Sequence, residues 1–207
     1  SKKQAAKYSR RDPNFEFGTN PCSEIILRPY QFCNLTECVV RSTDTLESLS
    51  EKVKLATILG TIQSTMIRFP YLRKIWTKNT EEERLLGVSL TGIMDNPLTT
   101  SKNKGLENTL EHLRQIAVAT NAIWADKLGI PRSTAITCVK PSGTVSQLVD
   151  SASGIHARHS NYYIRTVRGD NKDSLTQFMK DQGVPNSPCV MKGDTTTVFS
   201  FPVKSPP

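Results

Sequence analysis

The sequence predicts an α/β fold with parallel strands, and three observations carry that prediction. Long amphipathic stretches of helical period alternate with short β-branched runs. Two glycines and several prolines stand where such elements must stop. The 207 residues, 37% of them hydrophobic, contain no repeat and no apolar run long enough to span a bilayer.

Taken in order, residues 1–19 are polar and interrupted by Pro13 and Gly18, and read as an approach segment. Ile25–Leu27 and Phe32–Arg41 are apolar or β-branched enough for strands, with a bend at Arg28-Pro29-Tyr30. Thr45–Arg68 is the clearest helix: Thr45 can cap it, and Leu46, Leu49, Val53, Ala56, Leu59 and Gln63 recur near helical spacing. After a break at Lys78-Asn79-Thr80, Glu81-Glu82-Glu83 reads as an acidic element start, and Leu85–Leu90 as a strand ending at Thr91-Gly92. Asn96-Pro97 is a turn. Leu106–Leu128 is a second long helix, with Leu110, Leu113, Ala117 and Ile123 toward the core, closed by Gly129. Thr134–Val139 is a short strand followed by a loop and a helical start through Val149. Tyr162–Val167 and Thr197–Val203 read as strands around a helix at Leu175–Lys180.

The formal charge is +8, but the basic residues are spread along the chain and are not interleaved with aromatics, which argues against a nucleic-acid partner. Such a balance suits a small anionic substrate. Five cysteines, an odd and unevenly spaced set, point to reduced thiols and, with no secretory signal in view, to the cytoplasm.

Two stretches carry candidate chemistry. Asn20-Pro21-Cys22-Ser23-Glu24 sets an amide, a thiol and a carboxylate within five residues, and Pro21 keeps Asn20 out of the helical region. The bland alternative makes Cys22 a small buried hydrophobe beside ordinary turn residues. Lys140-Pro141-Ser142-Gly143-Thr144-Val145-Ser146 follows a strand and opens a helix whose first amides lack intrahelical acceptors. It lacks the glycine spacing of a Walker loop, and taken alone it is most simply a helix cap. A metal-binding module using Cys22, Cys33 and Cys38 is the weakest reading, because their spacing lacks a Cys-x-x-Cys knuckle.

These blocks, Asn20 to Leu35, Leu85 to Gly92 and Lys140 to Ser146, followed by Ser153-Gly154-Ile155-His156, closely resemble the class II, adenosylcobalamin-dependent ribonucleotide reductases, in the same order. The resemblance implies that residues 1–207 form part of the catalytic domain, the second half of a ten-stranded α/β barrel, with residues 20–33 as a central finger loop and the lead-in to the next strand. It implies Cys22 as the thiyl residue, Glu24 as the base for the 3′-hydroxyl, Asn20 as the amide holding substrate hydroxyls, and Cys33 as one thiol of the reducing pair. Ser142, Gly143, Thr144 and Val145 would hold substrate phosphates. No protein metal ligand is implied. Adenosylcobalamin is the implied cofactor. The implied partners are a ribonucleoside di- or triphosphate, a thioredoxin-like reductant and the missing first barrel half, which would bring the second thiol. Cys38, Cys138 and Cys189 lie outside the family's active-site blocks and read as inert. Pro206-Pro207 would fall short of the last barrel strand. The alternative within the same family is a catalytically silent complementing fragment.

Overall fold

The computed structural model describes Ser1–Lys7 and Ser9–Pro206; Tyr8, in the approach segment, and Pro207, of the terminal Pro-Pro pair, lie outside the described residues. The chain divides into two compact units, Ser1–Ala157 and Arg158–Pro207.

In the first unit a short helix, α1 (Lys2–Ala6), precedes a small antiparallel hairpin, β1 (Gly18–Thr19) with β2 (Ile26–Leu27). β3 (Asn34–Val39) and β4 (Leu86–Thr91) then pair in parallel, from Asn34 opposite Leu86 to Val39 opposite Thr91. Their crossover contains α2 (Leu46–Gln63) and α3 (Lys74–Glu83). α4 (Leu106–Leu128) and the one-turn α5 (Thr144–Leu148) follow β4.

Local chemistry explains the helix ends. The Thr45 side chain accepts from the Ser48 amide while the Ser48 Oγ accepts from the Thr45 amide, so both ends of a capping box close at the start of α2. Gly129 ends α4 in the left-handed region at φ 66°, where a Cβ would be costly. Between β4 and α4, Asn96 bonds the amide of Leu98 and caps a short turn begun by Pro97.

The parallel pair has two different faces. On one, Cys38, Val40, Leu86 and Val88 pack with Ile136 against Leu49, Val53 and Ala56 of α2 and Leu113 and Ala117 of α4, forming the core. Leu110 and Ile123, expected in that core, are exposed, and so are Leu46, Leu59 and Gln63 of the α2 periodicity. The helices turn a narrower stripe toward the sheet than period alone suggests. On the opposite face Gly87 is opposite Leu35, and a Cβ there would strike Leu35 and come within 3.0 Å of Cys138 Sγ and 3.2 Å of Ile25. The bare glycine lets the hairpin's Ile25 settle onto the sheet.

The expected second half of a ten-stranded barrel is not what the chain forms. Among the described residues the sheets are open, two of two strands and one of three, and none closes. The Thr134–Val139 run, expected as a strand, adds no ladder to the sheet. It lies beside β4, but the Leu86 amide bonds Ala135 O while the Val88 amide bonds Ile136 O. β4 advances two residues while the run advances one, as at a bulge, so a single bridge, Val88 to Thr137, replaces a ladder. The acidic trio is also displaced in role. Glu81–Glu83 end α3 instead of beginning an element, with Arg84 left-handed at φ 46°.

The second unit is antiparallel rather than parallel. β5 (Tyr162–Asp170) pairs with β7 (Thr196–Lys204), which pairs on its other edge with β6 (Asn186–Pro188). α6 (Ser174–Asp181) begins at Asp173, whose carboxylate caps the Leu175 amide. The architecture is therefore a small mixed α/β fold. No helix among the described residues is long and apolar enough to cross a membrane.

The bare position at Gly87 yields a prediction. Gly87→Ala should destabilise the chain by about 1–3 kcal/mol, the usual cost of overpacking, measured as a lower urea midpoint at unchanged slope. An unchanged midpoint would show that Leu35 and Ile25 yield freely.

Candidate functional site

The residues Asn20 to Ile25 form the tip of the β1–β2 hairpin. Asn20 closes it from within: its Oδ1 accepts from the Ile25 amide at 3.2 Å, and its carbonyl accepts from the Ser23 amide at 2.9 Å. Ser23 turns the chain in the left-handed region at φ 60°, a conformation uncommon outside glycine and the small polar residues. Pro21, Cys22 and Ser23 are exposed. The thiol of Cys22 is thus presented at an exposed turn whose base is fixed by hydrogen bonds. Asn20 spends its side-chain oxygen on the turn and keeps its amide nitrogen for other partners.

The base of the hairpin is clamped by a buried ion network. Arg11 donates through Nε and Nη2 to the two oxygens of Glu83, at 2.7 and 2.6 Å, and through Nη1 to the Ile26 carbonyl at 2.6 Å. Gln31 Nε2 donates to Glu83 at 2.6 Å, and Arg28 Nε lies 3.2 Å from the same carboxylate. Phe17 and Phe15 stack on the Arg11 and Arg28 guanidiniums at 4.6 and 4.0 Å. Burial alone would raise the Glu83 carboxyl. The hydrogen bonds from Arg11 and Gln31 and the charges of Arg11 and Arg28 outweigh it and hold the group below its ordinary range.

Glu24 is half-buried, and its Oε2 has no hydrogen-bond partner. It lines a cavity of about 110 Å³ with Arg11, Ile25, Ile26 and Thr134, and the Thr134 hydroxyl is also without a partner. Glu24 acts electrostatically on two thiols, Cys33 and Cys138. Cys33 is pushed up first by burial and then by Glu24, while the Lys140 ammonium pulls it down. The hairpin carboxylate, the Cys33 thiol and the first residue of the 140–146 loop therefore share one neighbourhood.

Within that loop, Gly143, Thr144 and Val145 are exposed, and Gly143 has open space where a side chain would be. Ser142 is placed differently: it is buried, and its hydroxyl is enclosed without a partner. The Ser146 hydroxyl turns back to the Gly143 carbonyl at 2.8 Å.

The remaining cysteines differ. Burial first, together with Glu37, takes Cys38 to about 12; burial, Glu24, Cys33 and Glu37 do the same for Cys138, and both stay protonated. Cys138 is separated from Cys33 by β4. Two strand spacings are roughly 10 Å, beyond the reach of a disulfide without backbone movement. Cys189 is shifted the other way, because the amides of Met191 and Lys192, then Arg168, lower its thiol, and it is buried. Among the described residues no three His, Cys, Asp or Glu side chains converge as a metal site. The sequence reading missed Arg11, Gln31 and Glu83, whose partners lie up to 72 positions apart.

No protein-family model matches the chain. Among curated proteins, the adenosylcobalamin-dependent ribonucleoside-triphosphate reductase of Levilactobacillus brevis is 30% identical over 213 residues, covering 91% of this chain and 28% of its own length. The reductase of the same name from Lactobacillus acidophilus is 29% identical with the same shares. A probable one from Dictyostelium discoideum is 29% identical, over 91% of this chain and 24% of its own length. A crystal structure of a B12-dependent, class II ribonucleotide reductase superimposes with a TM-score of 0.77 at 27% identity, over 93% of this chain and 30% of that one. The chain thus spans under a third of each of these relatives.

Two outcomes follow from the site's electrostatics. Glu83→Gln leaves two buried guanidiniums facing a neutral amide and should cost about 3 kcal/mol at neutral pH. The folded state holds Glu83 below its ordinary value of 4.5. Its contribution is therefore complete above that value and is lost as pH falls through the lower folded one. Urea unfolding from pH 7 to pH 3 should show the gap between the two proteins narrowing in acid; a constant gap would contradict the assignment. Separately, Glu24→Gln removes a negative charge beside Cys33, so Cys33 should be alkylated faster by iodoacetamide at pH 8. A slower reaction would place Glu24 elsewhere.

Proposed function

Because the chain is homologous to the class II, adenosylcobalamin-dependent ribonucleotide reductases over one part of their length, we propose that it supplies the radical-bearing hairpin and a substrate-phosphate loop to such a reductase. The observation that carries this reading is the shared neighbourhood of Glu24, Cys33 and Lys140, three positions from two separate sequence blocks. The substrate is a ribonucleoside di- or triphosphate and the product its 2′-deoxy counterpart. The remainder of the longer reductase brings the second reducing thiol and the cofactor site, and a thioredoxin-like dithiol restores the pair. The isolated chain is then a complementing segment without turnover of its own.

The fit to the cofactor rests on one feature, an exposed thiol on a turn fixed at its base. Adenosylcobalamin, when bound, supplies the power to remove a hydrogen atom from that thiol. The Cys22 sulfur, having lost its hydrogen, takes the hydrogen atom from C3′ of the ribose, which requires contact distance and hence a rigid turn. Glu24, with one oxygen unpartnered, accepts the 3′-hydroxyl proton as the 2′-hydroxyl leaves as water. The Asn20 amide nitrogen donates to a substrate hydroxyl. Cys33 and the second thiol give up two electrons and two protons, one of which leaves with the 2′-hydroxyl as water, and close a disulfide, after which Cys22 returns the hydrogen atom to C3′. Cys33 is held protonated by burial and by Glu24, which suits a donor of hydrogen rather than a nucleophile. The exposed Gly143, Thr144 and Val145 backbone receives the substrate phosphates, with Ser142 beneath them.

Substitution of the two cysteines in the cobalamin-loaded reductase separates their roles. Cys22→Ser, whose O–H bond is much stronger than S–H, should abolish both tritium wash-out from 5′-labelled cofactor and nucleotide reduction. Cys33→Ser should retain wash-out, release free base from the substrate and yield no deoxynucleotide. The double variant should behave as Cys22→Ser alone, since both act in one reacting unit. Persistent wash-out in Cys22→Ser, or full deoxynucleotide yield in Cys33→Ser, would reverse the assignment.

A further inference from the structure

The 140–146 loop is braced by a second segment, residues 151–154, that is docked on the end of β4. Thr91, fully buried, makes that docking. Its hydroxyl accepts the Gly154 amide at 2.9 Å and donates to the Ala152 carbonyl at 3.2 Å. Around it, the Gly92 amide donates to Ala152 O at 2.8 Å, and the Ala152 amide donates to Asp95 Oδ2 at 2.8 Å. The Ile93 amide reaches Gly154 O at 3.2 Å.

From this platform the Ser153 hydroxyl donates to the Ser142 carbonyl. Gly154, at φ 55°, brings its backbone so close to Lys140 O and Ser142 N that a Cβ would lie 3.3 and 3.5 Å from them. The Ser151 amide bonds the Ser146 carbonyl at 2.8 Å, securing the other end of the loop. In this series the bonds between the loop and the end of β4 pass through residues 151–154, and the Thr91 side chain holds two of their backbone groups.

We propose that Thr91 is the positioning residue for the loop of Ser142, Gly143, Thr144 and Val145, setting its affinity for the phosphates of a ribonucleotide without touching them; this rests on the reading of that loop as phosphate-binding. A threonine is suited to the task because one hydroxyl serves as acceptor and donor at once. Valine has nearly the same shape and neither capacity. Thr91→Val leaves the Gly154 amide buried without a partner, while Ala152 O keeps the Gly92 amide. The platform shifts, and the loop with it. The hairpin bearing Cys22 and Glu24 makes no hydrogen bond to this platform in the contacts above, so the effect falls on binding rather than on the reacting bonds.

The test uses the cobalamin-loaded reductase containing this segment, with CDP and CTP as substrates. Thr91→Val should raise KM about tenfold with kcat within about twofold, and Thr91→Ser, which keeps the hydroxyl, should restore KM. An unchanged KM in Thr91→Val, or a loss that falls on kcat and is not rescued by serine, overturns the proposal. Thr144→Val reports separately on the loop. If it raises KM and Thr91→Val does not, only the role of Thr91 falls; if neither moves KM, the phosphate reading falls with it. Should Thr91→Val fail to fold, amide hydrogen exchange on the unaltered enzyme decides. Nucleotide should slow the Ala152 and Gly154 amides together with those of 143–145, and protection of 143–145 alone overturns the proposal.

Discussion

The carboxylate of Glu83 is the constraint on which the first unit depends. It sits at the end of α3, buried, and takes hydrogen bonds from Arg11 and Gln31 with Arg28 in ion-pair contact. Three segments distant in sequence meet on that one group: the approach to the hairpin, the bend that leaves it, and the crossover between β3 and β4. Its own backbone carbonyl also accepts the Thr134 amide, tying in the run beside β4. Two cations share little more than one negative charge here, so neighbouring groups complete the balance. Arg28 reaches Glu82 at 2.8 Å, and Phe15 and Phe17 cover the guanidinium faces. A buried pair of this kind is a weak source of net stability, but breaking it is costly. Its effect is to fix one arrangement of the hairpin's two ends.

What could be read from the sequence follows from how local each signal is. The capping box at Thr45 and Ser48 and the left-handed Gly129 are set by residues within a turn of one another, and they mark the start of α2 and the end of α4 as expected, whereas α2 stops at Gln63, short of the expected Arg68. Leu59, Leu110 and Ile123 share that periodicity yet face outward, because which side of a helix is covered depends on the width of the sheet below. The Thr134–Val139 run has β-branched composition but no ladder, since its slip against β4 is a property of two strands together. Glu81–Glu83 could begin or end a helix by composition. The distant Arg11 and Gln31 decide it. The barrel expectation came from likeness to a larger protein, and strands that need neighbours cannot close a sheet by themselves.

The candidate site divides in the same way. Asn20, Cys22 and Glu24 lie within five residues, and their joint presentation on one turn is a local fact. That Glu24 and Lys140 both act on Cys33 is not local; it follows from the parallel pairing that brings residues 33 and 85 together and lays the 134–140 run alongside. The support beneath the 140–146 loop was legible only as the unexplained block Ser153-Gly154-Ile155-His156. No composition rule points from Thr91 to a segment sixty positions later.

The placement of β4 between Cys33 and Cys138 has a chemical consequence for any thiol that must cycle. A sulfur that is repeatedly oxidised is endangered by a second sulfur close enough to capture it in an unproductive cross-link. Here an intervening strand acts as an insulator: it sets the two backbones two strand spacings apart, roughly 10 Å, too far for a disulfide without backbone movement. Burial adds a second safeguard by keeping Cys138 protonated and therefore slow to attack.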